Sequence, residues 1–502
     1  MRAEGWAELV AWHVERGDET PLFRQIYLQV RAAILSRTLR PGTKLPSTRQ
    51  LATRLGVARA SVIAAYDQLL AEGYLDGRVG SGSYVSSDLP EPFDRRAPAR
   101  ARQAAAAARR DRPMSPVFEQ AFELVAHSTS EGEARPFTAA RALVDARTTD
   151  VWRKLSARAL RSLDPVHLGY SDARGLVGLR RSICDYLQAA RAVRCEPDQI
   201  VVTAGTQHAI DIVIRVLLRR GDEVWVEDPC YPMTYGALAA AEVKFRHVPV
   251  DQHGIDVRAG VRAAPRARAV FVTPSHQFPL GDVLSMPRRM ELLAWARESG
   301  AFVIEDDYHS EYQYSGRPLA SLQGLDEADR VIYVGTLNKV LFPGLRMGYA
   351  VVPQPLVRAF VGARYLMDRQ PSSLYQALVT GFMDEGHFAA HIRRMRILYR
   401  DQRDTLVAQL ARRTSADLTV KVPSQGMHLV AYLRDGISDI AIEDAARRNG
   451  VVVRAISRMY HKAPARSGLL LGFTGFRSRT IGPAVARLAE AVQQSRRTRQ
   501  SA

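Results

Sequence analysis

Five strand-like runs alternate with long helical patterns over the larger part of the chain, from about residue 135 onward. These short apolar runs span residues 200–203, 223–227, 269–273, 302–305 and 331–334. Strands that alternate with helices form a mostly parallel sheet, because each crossover helix returns the chain to the same end of the sheet. The pattern therefore predicts a doubly wound α/β domain over residues 135–497, with helices on both faces of the sheet.

The segment before this domain, residues 88–134, has a different composition. It begins DLPEPFDRRAPARARQAAAAARRDRP, with almost no large apolar side chain. Such a segment cannot bury enough apolar surface to offset the conformational entropy that it would lose on ordering. We interpret residues 88–134 as a flexible linker rich in Ala, Arg and Pro, which separates the α/β domain from an N-terminal domain at residues 20–87.

Residues 20–87 carry the spacing of a helix-turn-helix followed by a hairpin. Ser47 is a good N-cap for a first helix that ends at Gly56, and a second helix follows over about residues 57–73. Residues 74–85 then indicate a short hairpin with a glycine-rich tip, that is, a wing. This order of elements predicts an α+β winged helix-turn-helix.

In a winged helix-turn-helix, the second helix lies in the major groove of double-stranded DNA. The first residues of that helix would face bases or phosphates, arginines on the preceding helix and in the wing would contact phosphates, and wing glycines would let the backbone approach the DNA. The predicted DNA-contacting residues are Arg49, Arg59, Ser61, Arg78, Gly80 and Gly82. For each arginine alone, a solvated surface position remains the alternative.

The net positive charge of the chain is compatible with binding to an acidic partner. The formal net charge is +18, and residues 20–86 hold nine Lys or Arg against three Asp or Glu. A surplus of this size is typical of nucleic-acid-binding proteins. Arginine-rich proteins from GC-rich genomes are also basic, so the charge by itself leaves both explanations open.

Lysine is rare in this chain, which makes one candidate for covalent chemistry easy to find. The six lysines are Lys44, Lys154, Lys244, Lys339, Lys421 and Lys462. Lys339 alone follows a strand that looks buried. A desolvated lysine at the carboxyl end of a sheet strand can have a lowered pKa and react with an aldehyde cofactor. Taken alone, Lys339 could equally be a surface lysine in a loop.

Several other groups follow strands that would end at the same edge of the sheet. Arg346 is suited to a bidentate contact with a phosphate, and the turn at 204–207 resembles a phosphate cradle at a helix N-terminus. Asp306 can pair with a protonated pyridine nitrogen, and Tyr308 can hydrogen-bond a ring oxygen. Tyr231 is suited to stacking on a ring. Each residue alone could be a cap, a core residue or part of a turn, but together they favour a cofactor site.

Two sets of motifs resemble known families. The stretch PLFRQIYLQVRAAILSRTLRPGTKLPSTRQLATRLGVARASVIAAYDQLLAEGYLDGRVGSGSYV resembles the GntR-type winged helix. From about Leu168, the stretches LGYSDARGLVGLRRSI, EDPCYP, VTPSHQFPLG, IEDDYHSEYQY and GTLNKVLFPGLRMGY resemble fold-type I, pyridoxal-phosphate-dependent aminotransferases. The whole chain is similar to the MocR/GabR group, which fuses the two. The resemblance implies an aminotransferase fold with a smaller C-terminal subdomain, a pyridoxal phosphate cofactor, and operator binding as a homodimer.

The resemblance also implies roles for individual residues. Lys339 would form the internal aldimine with the cofactor. The remaining implied contacts are Asp306 to the pyridine nitrogen, Tyr308 to the ring oxygen, Gly205, Thr206, Thr336 and Arg346 to the phosphate, Tyr231 to the ring face, and His276 near the ring oxygen.

The chain departs from the pattern of the resembling group at several positions. The group more often has aspartate where His309 stands, glycine where Cys230 stands, and GTFSK in place of GTLNK. Aminotransferases keep an arginine for the substrate carboxylate at the place that falls here on Gly468, and whether Arg466 replaces it is left open. The ligand therefore need not be an ordinary α-amino acid.

Three functions remain after these observations. The leading hypothesis is a transcription regulator whose DNA binding responds to a small amine, an amino acid or pyridoxal phosphate itself. The alternatives are an active aminotransferase with an accessory DNA-binding domain, and a protein that uses the cofactor fold only as a dimer scaffold.

A cytoplasmic location without membrane association is expected, because no apolar run approaches the ~20 residues of a membrane span and the N-terminus is unlike a signal peptide. The three cysteines have no metal-ligand spacing, so no metal site is predicted.

Overall fold

The computed structural model describes residues 12–78, 82–88, 116–129, 135–161, 168–316, 319–434 and 436–500. The chain divides into two compact units, Met1–Arg112 and Pro113–Ala502. In the described ranges, none of the helices has both the length and the apolar character that crossing a bilayer requires.

The N-terminal unit is a winged helix-turn-helix, as predicted. Its elements are α1 (Leu22–Leu35), α2 (Thr48–Leu55), α3 (Arg59–Ala71), β1 (Leu75–Arg78) and β2 (Gly82–Val85). The N-terminus of α2 carries a reciprocal cap: the hydroxyl of Ser47 accepts a hydrogen bond from the backbone N–H of Gln50 at 3.3 Å, and the Gln50 side chain accepts one from the Ser47 N–H at 3.0 Å. At the other end of α2, Gly56 adopts a left-handed conformation with φ of 64°, which turns the chain into α3.

The core of this unit joins all three helices to the wing. Val30 of α1, Leu51 of α2 and Leu69 of α3 are completely buried together. The wing is an antiparallel pair in which Leu75 lies opposite Val85, and both side chains are buried in the same core. The base of the wing is therefore fixed to the helices by apolar packing, and the exposed outer part of β1 can face a partner.

The larger unit contains the remaining elements. Its helices are α4 (Pro116–Thr129), α5 (Ala146–Arg161), α6 (Val177–Arg191), α7 (Thr206–Leu217), α8 (Pro232–Ala240), α9 (Val257–Ala263), α10 (Met286–Ser299), α11 (Leu322–Leu325), α12 (Val357–Asp368), α13 (Ser373–Asp384), α14 (His387–Thr414), α15 (Asp439–Arg448) and α16 (Ile481–Gln500). Its strands are β3 (Ile200–Thr203), β4 (Glu223–Asp228), β5 (Lys244–Asp251), β6 (Gly254–Ile255), β7 (Ala269–Val272), β8 (Phe302–Asp307), β9 (Val331–Thr336), β10 (Gly348–Val351), β11 (Leu418–Lys421), β12 (His428–Leu433), β13 (Arg454–Ala455) and β14 (Gly468–Gly472).

The main sheet has eight strands in the order β3-β10-β9-β8-β7-β4-β5-β6. The five strands from β9 to β5 in this order run parallel, whereas β10 is antiparallel to both of its neighbours and β6 is antiparallel to β5. All residues of β3, β7 and β9 are buried, because helices cover both faces of the sheet. The mostly parallel, doubly wound sheet that the sequence predicts is therefore confirmed.

The larger unit also contains a separate, smaller antiparallel sheet with the strand order β11-β12-β14-β13. It packs on α14, α15 and α16 around a separate apolar core that includes Met395, Leu429 and Leu471. This is the smaller C-terminal subdomain that the resemblance to aminotransferases implies.

The carboxylate of Asp228, the last residue of β4, connects the two sheets. Its oxygens accept hydrogen bonds from the backbone N–H groups of His461 at 2.9 Å, Lys462 at 2.7 Å and Ala463 at 2.7 Å. Hydrogen bonds to an ionised acceptor are about twice as strong as neutral ones. One buried side chain of the main sheet thus holds a loop of the smaller subdomain at three consecutive positions.

Part of the segment predicted as a linker is helical. Pro116–Thr129 forms α4, although residues 88–134 were expected to lack structure. Phe118 and Ala121 of this helix line a groove together with residues of α7 and α8. The expectation of a linker rested on the composition of the first part of the segment, whereas PVFEQAFELV has apolar residues at helical spacing. Residues 89–115 and 130–134 lie outside the described residues.

The left-handed turn at Gly56 gives a test of the helix-turn-helix. A Gly56→Ala substitution should destabilise α2 and α3 by about 1–2 kcal/mol, because a side chain in the left-handed region is strained. Amide hydrogen exchange of the full chain, followed by mass spectrometry, should then be about 5- to 30-fold faster in peptides of these two helices. Gly17→Ala is the matched control, since no left-handed conformation is required at Gly17 and a Cβ there meets open space. Equal exchange rates in the two variants would contradict the assignment.

Candidate functional site

A cavity of about 170 Å³ lies where the parallel strands of the main sheet end. Eight of the nine residues predicted to contact a cofactor line it: Gly205, Thr206, Tyr231, Asp306, Tyr308, Thr336, Lys339 and Arg346. The remaining lining residues are Ala140, Gln207, Thr273, Phe278, Asn338 and Pro343. The carboxyl ends of β3, β4, β8 and β9 supply most of the eight, which is the usual position of a ligand in an open α/β sheet.

Lys339 follows β9 and places its amine inside this cavity. Burial lowers the pKa of the amine because it disfavours the ammonium form. The carboxylate of Asp306 opposes this shift, and the guanidinium groups of Arg454 and Arg346 add to it. A lysine held in this way has a larger neutral fraction than a surface lysine, and the neutral amine is the nucleophilic form.

Asp306 is the acidic group that faces the amine across the cavity. Burial and the neighbouring carboxylate of Asp307 raise the pKa of Asp306 to about 8. Its Oδ1 atom is buried, and none of the described residues donates a hydrogen bond to it. An unsatisfied buried acceptor is unfavourable, so the site is suited to a ligand that brings a ring N–H to this atom.

Asp307, the next residue of β8, points to the opposite face of the sheet, as alternation along a strand requires. Its Oδ2 accepts hydrogen bonds from the Nε of Arg191 at 2.9 Å, from the hydroxyl of Tyr333 at 2.7 Å and from the hydroxyl of Ser310 at 2.8 Å. The Oδ1 of Asp307 is also buried without a partner among the described residues. Asp307 does not line the cavity, however, so Asp306 is the carboxyl available to a ligand there.

The N-terminus of α7 forms one end of the cavity. Gly205 caps this helix with φ of 115°, and a Cβ at this position would lie 2.7 Å from Nδ2 of Asn338. A helix N-terminus offers free backbone N–H groups and the positive end of the helix dipole. Thr336 and Arg346 line the cavity beside it. Together these groups can bind a phosphate.

Aromatic side chains form the walls between these two polar ends. Tyr231 meets the ring of Phe278 edge to face, with the centroids 5.3 Å apart. The hydroxyl of Tyr308 donates a hydrogen bond to the backbone carbonyl of His276 at 2.9 Å. These aromatic side chains give this part of the cavity an apolar lining that is suited to a planar ring.

His276 is the one predicted cofactor residue that does not line the cavity. Its side chain is buried behind Tyr308, next to the rings of His309 and His428. Phe278, two residues later, lines the cavity instead. The chain reverses direction over this loop, where the N–H of Gly281 donates to the carbonyl of Gln277 at 2.7 Å, and sequence spacing could not show which side chain of the loop turns inwards.

The sequence also failed to single out Arg454. This residue lies on the short strand β13, and its charge acts on the pKa values of both Lys339 and Tyr231. The two alternatives considered from the sequence lie elsewhere: Arg466 stacks on the ring of Tyr432 at 3.9 Å, and Gly468 begins β14. Arg454 is therefore the arginine of the smaller subdomain that acts electrostatically on the cavity.

The predicted DNA-contacting residues are grouped on the N-terminal unit. Arg49 lies on α2, Arg59 and Ser61 lie in the first turn of α3, and Arg78 and Gly82 face each other across the wing. The side chains of Arg49, Arg59 and Arg78 are exposed. Gly80 lies outside the described residues.

Local contacts orient two of these arginines. The Nε of Arg59 donates a hydrogen bond to the hydroxyl of Thr48 at 3.2 Å, which joins the N-termini of α3 and α2. The guanidinium of Arg78 lies 4.7 Å from the centre of the Tyr84 ring. A guanidinium that stacks on a ring keeps its hydrogen-bond donors free at its edges, so Arg78 can contact an anionic partner. Arg59 uses its Nε in the bond to Thr48, and its two terminal nitrogens can do the same.

Comparison with known families assigns both units. Residues 142–467 match the family described as aminotransferase class I and II, and residues 22–85 match bacterial regulatory proteins of the gntR family. The first match covers most of the larger unit and includes every residue of the cavity except Ala140. The second covers the helix-turn-helix and the wing.

The similar proteins include transcription regulators and an aminotransferase. The chain is 37% identical over 486 residues to the probable rhizopine catabolism regulatory protein MocR of Rhizobium meliloti, covering 95% of each chain. It is 31% identical to the pyridoxine biosynthesis transcriptional regulator PdxR of Corynebacterium glutamicum, covering 95% of this chain and 97% of that protein. Among solved structures, the α-aminoadipate aminotransferase LysN of Thermus thermophilus, complexed with N-(5'-phosphopyridoxyl)-L-leucine, has a TM-score of 0.67 and 27% identity, covering 73% of this chain and 94% of LysN.

The raised pKa of Asp306 predicts how its removal affects stability in the cofactor-free protein. Between its ordinary pKa of 3.8 and about 8, the folded protein holds a proton on Asp306 that the unfolded chain releases. The contribution of this carboxyl to the free energy of unfolding therefore falls as the pH rises through that window. An Asp306→Asn variant loses this effect, so its stability relative to wild type should increase from pH 5 to pH 8.

Calorimetry of the full chain at several pH values measures this difference through the unfolding transition of the larger unit. Thr336→Val is the control, because it changes the same cavity without removing a titratable group. A stability difference between the Asp306→Asn variant and wild type that stays constant from pH 5 to pH 8 would contradict the raised pKa.

Proposed function

Because the chain belongs to the MocR group of transcription regulators, which join a gntR-family DNA-binding domain to an aminotransferase class I and II domain, we propose that it binds pyridoxal phosphate at Lys339 and that a small molecule bound there changes its affinity for DNA. One observation carries the proposal. The amine of Lys339, with its lowered pKa, and the unsatisfied buried oxygen of Asp306 face the same cavity.

The chain's own residues fit this cofactor at each of its functional groups. The free N–H groups at the start of α7, with Thr206, Thr336 and Arg346, would bind the phosphate. Asp306 would hold a proton on the pyridine nitrogen, which satisfies its free oxygen. Tyr231 and Phe278 would hold the ring and exclude water from its faces.

When bound, pyridoxal phosphate supplies an aldehyde that reacts with primary amines and a ring that withdraws electrons. Lys339 would hold the cofactor covalently and would give up that bond to an incoming amine. Tyr308 would donate its hydroxyl proton to the ring oxygen by turning it away from the carbonyl of His276, to which it donates here. The proposed sensing event is therefore a change in what Lys339 is bonded to.

The N-terminal unit would read double-stranded operator DNA. In this proposal Arg59 and Ser61 of α3 face the major groove, while Arg49, Arg78 and the wing glycines Gly80 and Gly82 approach the phosphates. A homodimer would present two such units to a symmetric operator. Large apolar side chains exposed on the larger unit support a contact between copies: Leu168, Tyr170, Tyr365, Leu366 and Ile397.

Two classes of effector are consistent with the cavity. Arg454 acts on the amine of Lys339 and could bind a carboxylate, which favours an amine that also carries an acidic group. The similarity to a pyridoxine biosynthesis regulator supports pyridoxal phosphate itself as the effector. In either case the effector must bind two conformations with different affinity, or DNA binding will not change.

An aminotransferase that turns over is the second candidate, favoured by the structural similarity of the larger unit to LysN. The two functions differ in the fate of an added amino acid. A regulator binds it without net conversion, whereas an aminotransferase releases the corresponding keto acid in the presence of an acceptor. Quantifying keto acid during incubation with a panel of amino acids separates them.

The central test uses Lys339→Ala with Lys154→Ala as the control, because Lys154 is an exposed lysine outside the cavity. Wild type and the control should gain a visible absorption band with pyridoxal phosphate, and borohydride should then attach the cofactor to the peptide that contains Lys339. Lys339→Ala should lack the band and the labelled peptide. It should also lose any change of DNA affinity caused by the cofactor or an amine. A normal band and an unchanged DNA response in Lys339→Ala would refute the proposal.

Arg59 gives a separate test of the DNA-binding surface, with a duplex selected by the wild-type protein from a random pool. Arg59→Ala should weaken binding by about 1–3 kcal/mol if Arg59 contacts a base. If Arg59 contacts a phosphate instead, the slope of the logarithm of the binding constant against the logarithm of the salt concentration should become smaller in magnitude by about one. Arg220→Ala is the control, since Arg220 is an exposed arginine of the larger unit that pairs with Glu242. DNA affinity and salt dependence equal to those of the control would exclude Arg59 from the interface.

A further inference from the structure

Three histidines from distant parts of the sequence meet behind the cofactor cavity. His276 follows β7, His309 follows β8, and His428 begins β12 of the smaller sheet. Their exposed fractions are 2%, 1% and 0%. The ring centroids are 4.9, 4.7 and 5.7 Å apart, and one ring nitrogen from each residue lies within 4.8 Å of the other two.

The nitrogens of this histidine cluster are largely without partners. Among the described residues, no group hydrogen-bonds either ring nitrogen of His276 or His309, or Nδ1 of His428. Five buried polar atoms in this state are unfavourable, because each has lost its hydrogen bond to water. The cluster is therefore suited to an occupant that satisfies several nitrogens at once.

The unpartnered ring nitrogens favour a cation as that occupant, because each can offer a lone pair to a shared ion. Neutral imidazole has one lone pair, which is the form that binds metal ions. The Nε2 of His428 lies 3.2 Å from the carbonyl oxygen of Pro279, and a proton donated there leaves the Nδ1 lone pair facing the cluster. A backbone carbonyl behind a histidine is a usual support of a metal ligand.

We propose that His276, His309 and His428 form a binding site for a zinc-class transition metal ion. Three nitrogens at Zn–N distances of about 2.0–2.1 Å lie about 3.3 Å apart in tetrahedral geometry. The nitrogens here lie within 4.8 Å of one another, so metal binding would draw the rings closer together. Imidazole ligands suit zinc, copper, nickel and iron, whereas calcium and magnesium require oxygen. A bound water molecule would complete the four-coordinate shell.

The backbone holds the cluster in place from the side of the smaller sheet. Gly426 has φ of 90°, and a Cβ there would lie 2.8 Å from Cε1 of both His276 and His309. The ring of Tyr308 lies 3.8 Å from that of His309, centre to centre, and separates the cluster from the cavity. The metal site is thus distinct from the cofactor site but shares a wall with it.

Metal analysis of the tag-free full chain tests the proposal. After treatment with a chelator and dialysis against micromolar zinc, wild type should retain about one zinc per chain. The His276→Phe and His309→Phe variants should retain about tenfold less. His253→Phe is the control, because His253 is exposed and lies outside the cluster, and it should bind as wild type does. No zinc in wild type, or equal zinc in the cluster variants, would overturn the site.

A second measurement on wild type covers the case in which a variant does not fold. X-ray absorption at the zinc edge should show three imidazole ligands at about 2.0 Å, and cobalt in place of zinc should give the visible bands of a four-coordinate ion. An oxygen-rich six-coordinate shell, or a single imidazole, would identify adventitious surface binding and exclude the site. Because these readouts need no pyridoxal phosphate, they remain valid whether or not Lys339 binds that cofactor.

Discussion

The buried ion pair between Asp307 and Arg191 is the interaction on which the geometry of the cavity depends. Besides Asp307, the guanidinium of Arg191 donates hydrogen bonds to the hydroxyl of Ser275 at 2.7 Å and to the carbonyl of Leu319 at 3.3 Å. It thus joins the end of α6, the loop after β7 and the segment before α11 to strand β8. A buried pair with this many hydrogen bonds favours one arrangement of the surrounding elements, because an unpaired charge there would be strongly unfavourable.

Because Arg191 and Asp307 hold these elements in place, the adjoining cavity can contain groups whose burial or backbone conformation is unfavourable by itself. Asp306 has a buried oxygen without a partner, and the amine of Lys339 is desolvated. Arg346 has φ of 52°, in the left-handed region that is strained for a residue with a side chain. Strain and unsatisfied polar groups persist only where the surroundings determine them, and they are typical of sites that are organised before the ligand arrives.

Much of the fold and most of the cavity could be predicted from the sequence because both depend on local patterns. Apolar runs of four to six residues become strands, and functional residues placed just after them meet at one edge of the sheet, as Asp306, Thr336 and Lys339 do. Phe278 and Arg454 were missed because a loop reversal and the docking of the smaller sheet determine their positions. The histidine cluster was missed for the same reason, since its three members come together only through tertiary structure.

The contact of Asp228 with the loop at residues 461–463 affects how the smaller subdomain can move. Its three hydrogen bonds share one carboxylate, so rotating the loop away would strain all three together instead of lengthening one at a time. The loop should then separate from the main sheet cooperatively, with the three bonds breaking together. Asp228 lies three residues before Tyr231 at the wall of the cavity, so a ligand that shifts Tyr231 acts on the chain close to this contact.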